Sequence, residues 1–509
     1  MANVNQSLLV SQKIASDCPG IFASKSPEVP RYTTSGGTCT AYEDQEHYAL
    51  SEKRRNQVKE GFLHAWNSYV ENALGWDEIA PITGRPNNSW GATLFDSLDT
   101  LLIMDLKVEF NEAKEYVRGV NFNESNNVNF FETTIRYLGG LMSAYELSNE
   151  PILLTKAQEL GTQLLKAFQS RSGYPYNFVD FLSISLSSGR ANNAGWTGGN
   201  SILAEIGSFQ LEFRRLSDLT KDSKYHEKGQ KVIDMLDRIK TPYPGLFPIY
   251  LNPDTGKAER SSISFGALGD SFYEYLLKQY LMTGSKIDQY RRMYEASIDS
   301  MKKYMIAESH GQTYLSALDS DLKIVQSLEH LTCFAPGLLA LGSKTLGRPD
   351  DMELAKKLVQ TCYNTYATTK TGLGPENVAW YTESDSLDNL SPENARDVLD
   401  HGFYPRTPYY ILRPETVESI FYLYRLTGDR KYQEWGWNIF SALEKFSRAK
   451  FGYSGLDNVQ DPNSLDNKME SFFMAETMKY LYLLFSSPDL INLEEYVFTT
   501  EAHPLKIRQ

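Results

Sequence analysis

The stretch ILRPETVESIFYLYRLTGD (411–429) carries Glu415 and Glu418 three residues apart, with Arg413 two residues before the first of them. That spacing puts both carboxylates on one face of a helix. The helix is otherwise strongly apolar. Acidic residues near the start of an apolar segment recur along the chain: Asp96 and Asp99, Glu132, Glu205, Asp270, Glu470 and Glu476. One such residue alone is explained by the helix dipole, worth about 0.3–1 kcal/mol. The repetition calls for more, because buried carboxylates are costly unless paired, hydrogen-bonded or bound to a metal.

The elements that position these residues form a loose repeat. The segments 91–106, 130–148, 201–220, 269–284, 330–347, 414–429 and 469–486 are apolar nearly all round, as in helices buried on most sides. Six carry an acidic residue near the beginning, and the other begins at His330. Most are followed by a charged amphipathic stretch such as 222–240 or 349–369, read as an outer helix with a solvated face. The pattern predicts an all-α fold, an (α/α)7 barrel with long loops. A ring also explains how residues 46–509 form one domain when single cores stop growing near about 250–300 residues. Residues 1–45 show no period and are expected to be a mostly irregular N-terminal arm.

If the acidic ends point the same way around the ring, they converge on one cavity. Arg136, one turn after Glu132, and Arg413 are available partners. Carboxylates hold hydroxyls, aromatic faces cover the C–H surface of a sugar ring, and two carboxylates can run glycoside hydrolysis. With 32 Tyr and 25 Phe, aromatic faces are plentiful.

Composition excludes other classes. A net charge of −13 supplies no basic stripe for nucleic acid. No apolar run reaches membrane-spanning length, and MANVNQSLLVSQK lacks a signal-peptide core, so a trimmed catalytic segment, without its native anchor, is expected. The four cysteines, Cys18, Cys39, Cys333 and Cys362, have no C-x-x-C spacing. An even count, with sequons at Asn5, Asn87, Asn123 and Asn389, favours the secretory pathway. His503 in FTTEAHP has no zinc-ligand partner at a recognised spacing, so a zinc site is rejected. A hard cation with oxygen ligands and waters suits a carboxylate-rich cavity better.

FETTIRYLGGLMSAYELS, GDSFYEYLLKQYL, HLTCFAPGLLALG, LRPETVESIFYLYRLTGDRKYQEWGW, NKMESFFMAETMKYLYLLFS and FTTEAHP resemble, in order, the motifs of class I α-1,2-mannosidases, glycoside hydrolase family 47. The resemblance runs from about residue 45 to 508. It implies an (α/α)7 barrel with a C-terminal hairpin plugging one end, and a Ca²⁺ ion at the cavity bottom. It also implies inverting removal of terminal α-1,2-linked mannose from high-mannose N-glycans. By matched position, Glu132 is the expected general acid, acting through a water, Glu415 the general base, and Asp270 the third catalytic carboxylate. Thr500 is the expected direct calcium ligand, with Glu205, Glu418, Glu476 and Glu501 holding the ion's waters. Phe472 is expected to stack on the sugar, and Arg136, His330 and Arg413 to line the pocket.

The resemblance pairs Cys333 with Cys362; Cys18 and Cys39, outside the matched motifs, are expected to pair with each other. Leu268 stands where enzymes that remove one particular mannose carry arginine, Glu329 is unlike the aspartate typical of that single-cleavage group, and Thr499 replaces the family's usual asparagine. Leucine resembles the Golgi-type branch, implying trimming of Man9GlcNAc2 toward Man5GlcNAc2. A monomer in the secretory lumen is expected. The alternative is a glycan-recognition factor with little or no hydrolytic activity.

Overall fold

The computed structural model describes residues 41–88, 90–124, 127–182 and 195–508. Cys18, Cys39 and Asn5 lie outside the described residues, as does residues 1–40 of the expected arm; residues 41–45 open a helix.

All seven apolar segments form inner helical elements. They are Ala92–Ile103, residues 130–148, Gln210–Thr220, Asp270–Met282, Ala335–Leu346, Glu415–Thr427 and the residues from Phe473 to Leu484. Each packs on the next, and the last closes against Ala92–Ile103. Among the described residues seven outer helices clad the ring: Ala41–Ala73, Lys107–Gly119, Pro151–Leu164, Lys224–Leu236, Asp288–Tyr304, Pro349–Ala367 and Lys431–Ala442. The expected (α/α)7 barrel is therefore present. Ala41–Ala73 packs against the final inner element, and Arg54 donates to both carboxylate oxygens of Glu434 at 2.6 and 2.8 Å. That pair ties the chain's first described helix to its last outer helix.

Close approach between inner helices has a visible sequence cause at Gly140. A Cβ there would lie 2.3 Å from the backbone oxygen of Phe95, so any side chain would push apart two neighbouring inner helices. Gly428 adopts φ 73° after Glu415–Thr427, the left-handed conformation that closes a helix and that glycine adopts freely.

The segment 201–220 departs from one continuous helix. Ser201–Ile202 is a strand, Leu203–Gly207 a short helix, and Gln210–Thr220 the long one. The Gln210 side chain accepts from the Phe209 amide and donates to the Ile206 carbonyl, stabilising the break. The strand illustrates a wider arrangement. Val128–Asn129, Ser201–Ile202 and Ser327–Glu329 each pair with a strand elsewhere and run directly into an inner helical element. Short strand pairs thus fix the helical turns that lead into those inner elements and so place Glu132, Glu205 and His330.

The C-terminal strands Tyr496–Phe498 and Pro504–Lys506 form an antiparallel hairpin that packs on Asp270–Met282 and Gly139–Ser148 and plugs the barrel. His503, the residue rejected as a zinc ligand, anchors the plug. Its Nδ1 lies 2.9 Å from Asp99 Oδ2 and its Nε2 3.5 Å from Asp96 Oδ1, all three fully buried. Lys479 Nζ completes the cluster, 2.9 Å from Asp99 Oδ1 and donating to the Ala502 carbonyl at 2.7 Å.

Cys333 and Cys362 are disulfide-bonded, as the resemblance implied, joining an inner element to the outer helix Pro349–Ala367. The bridge spans 29 residues, for which loop-closure entropy gives about 3–4 kcal/mol. Replacing both cysteines with serine is expected to lower stability by about that amount in chemical denaturation, and an unchanged midpoint would contradict it.

Candidate active site

The inner-helix starts converge on a cavity of about 290 Å³. Eight carboxyls line it, Glu132, Glu205, Asp270, Glu274, Glu415, Glu418, Glu476 and Glu501, against two guanidinium groups, Arg136 and Arg413. Leu268, Phe472 and Thr500 share the lining. His330 stands behind, in contact with Glu415. Every residue to which the resemblance gives a catalytic, substrate or metal role is thus in or directly behind one cavity, whereas the acidic starts Asp96 and Asp99 lie buried against His503 and Glu470 lines a neighbouring basin.

Glu132 begins its helix under the Asn129 side chain, whose Oδ1 accepts from the Glu132 amide at 2.9 Å. The helix then passes through a π-helical turn, Thr133–Leu138, which carries Arg136. Such turns often mark functional sites. Arg136 Nε donates to Glu132 Oε2 at 2.9 Å, and its Nη1 reaches Ser471 Oγ at 3.2 Å and Glu501. The guanidinium carbon also lies 5.8 Å from the centre of the Phe472 ring. The Glu132 side chain is 47% exposed, which leaves room for a water beside it.

Glu415 is held differently. His330 Nδ1 lies 2.7 Å from Glu415 Oε2, and His330 Nε2 lies 2.6 Å from the Tyr366 hydroxyl. Arg413 Nη1 approaches Glu415 Oε1 at 4.0 Å. Burial pushes the Glu415 carboxyl upward, but the His330 hydrogen bond, the His330 charge and Arg413 together hold it below the usual carboxylate range. Asp270 goes the other way. Burial raises it to about 7 against the Ser271 amide, which donates to Oδ1 at 2.8 Å; the charges of Glu274, Glu415 and Glu329 add to the rise. Carboxyls whose surroundings drive them apart can divide acid and base roles.

The remaining acids suit a hard cation. Burial, then repulsion by Glu132, pushes Glu205 to about 8, and its Oε2 is buried without a protein hydrogen-bond partner. Burial also takes Glu418 to about 8, opposed by Lys278 and reinforced by Glu274 and Glu415. Glu476 is raised by burial and by Glu501, Glu415 and Glu418. Among the described residues no group of three His, Cys, Asp or Glu side chains could by itself hold a metal ion. Thr500 lies in the hairpin turn, where its amide donates to the Tyr275 hydroxyl at 3.2 Å.

Several members were not singled out from the sequence. Glu376 grips Arg413 with two hydrogen bonds of 2.6 Å, aiming the guanidinium toward Glu415. It lies in an irregular loop, so no periodicity marked it. Glu274 and buried Lys278 pair across one helical turn, with Lys278 3.9 Å from Glu418. The four-residue steps from Asp270 to Glu274 to Lys278 place all three on one helix face, a signal present in GDSFYEYLLK.

A closed ring of helical hairpins with a carboxylate-lined cup at its centre defines an α/α-barrel protein built to handle a polyhydroxylated ligand. The match to Glycosyl hydrolase family 47 spans residues 61–507, and the chain belongs to that family. It is 45% identical over 470 residues to mannosyl-oligosaccharide 1,2-alpha-mannosidase MNS1 of Arabidopsis thaliana, covering 90% of this chain and 79% of that protein. It is 42% identical over 465 residues to the endoplasmic reticulum mannosyl-oligosaccharide 1,2-alpha-mannosidase of Homo sapiens, covering 89% of this chain and 64% of that one. Among solved structures, the alpha-1,2-mannosidase from Trichoderma reesei superposes with a TM-score of 0.84 at 34% identity, covering 90% of this chain and 99% of that chain.

Proposed function

We propose that this chain is a calcium-dependent, inverting mannosyl-oligosaccharide 1,2-α-mannosidase that removes terminal α-1,2-linked mannose from high-mannose N-glycans. The observation that carries the reading is the convergence in one cavity of Glu415, held by His330 and Arg413, and Glu132, held by Arg136 on a different inner helix. The names of the relatives point to the same reaction.

In this mechanism Glu415 takes a proton from a water as that water attacks the anomeric carbon. The bond from that carbon to the leaving oxygen breaks, and the leaving oxygen receives a proton from Glu132 through a second water. Attack opposite the leaving group inverts the configuration. Phe472 covers the ring of the departing mannose, while Arg136 and Arg413 balance charge and hold hydroxyls. Calcium would be held directly by Thr500 and through waters by Glu205, Glu418, Glu476 and Glu501, where it supplies a fixed positive charge that binds sugar hydroxyls.

Asp270 offers a second reading as the proton donor, because its raised carboxyl keeps a proton near neutral pH. The two are separated by the alkaline limb of kcat/KM, where the acid loses its proton. Glu132→Gln abolishes that limb if Glu132 donates, and Asp270→Asn does so if Asp270 donates.

Leu268 bears on specificity. It lines the cavity in a left-handed conformation, φ 70°, and its carbonyl accepts from the Ala204 amide at 3.0 Å. An arginine there would add donors that fix particular branch sugars. Leu268→Arg is expected to stop digestion at fewer products, with the later cleavages slowed at least about tenfold, a difference of about 1.4 kcal/mol. An unaltered product ladder would remove Leu268 as a determinant.

The disulfide and the relatives favour the lumen of the secretory pathway. Among the described residues no helix is long and apolar enough to cross a membrane. The direct test is digestion of Man9GlcNAc2 with and without a chelator, followed by mass and linkage analysis. Descent through Man8, Man7 and Man6 to Man5 only with calcium supports the proposal. Retained glycan binding without cleavage in the presence of calcium would instead favour a recognition factor.

A further inference from the structure

Behind the proposed base, a line of hydrogen bonds runs out of the cavity into the barrel wall. The Tyr366 hydroxyl lies 2.6 Å from His330 Nε2, while the other ring nitrogen meets Glu415. Tyr366 belongs to the outer helix Pro349–Ala367, His330 opens the short turn His330–Phe334, and Glu415 opens an inner helix. Three separate elements therefore meet through one imidazole. The Tyr366 hydroxyl is also hydrogen-bonded to that of Tyr410, which lies 3.5 Å from the Arg413 carbonyl. His330, Tyr366 and Tyr410 are all buried. A side chain at Gly374 would strike the Tyr366 ring, so glycine there lets the ring take its seat. The mechanism given above assigns Tyr366 no task.

Counting donors supplies one. An ionised carboxylate only accepts, so the hydrogen of the 2.7 Å contact belongs to His330 Nδ1. In a neutral imidazole Nε2 is then a bare acceptor, and a buried acceptor without a donor is costly. Among the described residues two hydroxyls are in reach, Tyr366 at 2.6 Å and Thr416 at 3.3 Å. The shorter contact belongs to Tyr366. Burial pushes its phenol well above the ordinary range, so it keeps its proton.

We infer that Tyr366 is a positioning residue for the hydrolysis: its hydroxyl donates to His330 Nε2, fixes the neutral ring with its hydrogen on Nδ1, and so holds Glu415 Oε2 while Oε1 takes the proton from the attacking water. The inference rests on the mannosidase reading.

The test is nitrogen NMR on protein carrying isotope-labelled histidine, in calcium-containing buffer, with the His330 signals identified by their loss in His330→Asn. In the unaltered protein His330 should carry hydrogen on Nδ1 and none on Nε2. Hydrogen on Nε2 would overturn the inference, because Tyr366 would then be accepting. Tyr366→Phe keeps the ring and removes the hydroxyl. It should bring hydrogen onto Nε2, and it should lower kcat about tenfold with KM changed less than about twofold, the scale of one lost hydrogen bond. The acid limb of kcat/KM should move upward as Glu415 loses its donor. The titratable and charged groups facing His330 are Glu415, Tyr366 and Tyr410, with Arg413 beyond Glu415, and the substitution changes Tyr366 alone. A lower kcat with the His330 signals and the limb unmoved would mark a merely structural role and overturn the inference, as would normal kinetics. Thr416→Val keeps the test open if Tyr366→Phe does not fold. It should leave hydrogen on Nδ1, and loss of that preference would make Thr416 the donor instead. If the unaltered chain does not cleave Man9GlcNAc2, the mannosidase reading fails separately, and the nitrogen signals still show whether Tyr366 donates.

Discussion

Glu415→Gln is expected to lower kcat about 10³-fold while leaving KM and the folded state nearly unchanged. General bases contribute about 10²–10⁴-fold, and glutamine fills the same space without accepting the proton. The substitution isolates basicity because the pocket around residue 415 is built by His330, Arg413 and Tyr366. Steady-state kinetics beside a thermal melt make the check. A loss below tenfold with a normal melt would remove Glu415 as the base. The same geometry sets the acid limb of kcat/KM. The base must be ionised, and its hydrogen bond from His330 keeps it ionised below the usual carboxylate range. Activity should therefore persist into more acidic solution than an ordinary glutamate would permit. His330→Asn should move that limb upward, since burial would then meet less opposition.

Calcium is expected to stabilise the protein more at pH 8 than at pH 5. The sign follows from the raised carboxyls. Glu205 and Glu418 sit near 8 when folded, above their ordinary value of 4.5. Between those pH values the folded state binds more protons than the unfolded one, so without a cation stability falls as pH rises through that window. A bound cation supplies the missing positive charge, and its affinity grows as the carboxyls lose their protons. At a hundredfold excess over Kd the gain is about 2.7 kcal/mol, or about 3 °C in Tm for a chain of this size. Thr500→Ala should erase most of that gain at pH 8. The check is a pair of melts at each pH, with calcium and with chelator. Equal calcium shifts at both pH values, or an undiminished shift in Thr500→Ala, would contradict the proposed ion site.

The ring was legible because its inner helices are apolar on nearly every side while their outer partners are not. The spacing of Glu415 and Glu418, and the return of acids at successive helix starts, placed most of the cavity lining. Other features depend on tertiary contact. Glu376 lies in a loop without periodicity, and only folding brings it to Arg413. The break after Gly207 comes from the short helix Leu203–Gly207 ending before Gln210, whose side chain caps neighbouring backbone groups. His503 belongs to the plug because two aspartates from Ala92–Ile103 reach it across the barrel. The helix Ala41–Ala73 went unremarked in the sequence because it is rich in charge, and it is an outer helix with a solvated side.

The most direct measurement is a proton NMR time course of hydrolysis of the methyl α-glycoside of α-1,2-mannobiose, in which the cleaved mannose is the one free reducing sugar, read before it mutarotates. With calcium, the cleaved mannose should appear first as the β anomer, and chelator should suppress its release. First appearance of the α anomer would contradict the inverting mechanism built on Glu132 and Glu415, and undiminished release under chelation would contradict the role given to Thr500 and calcium.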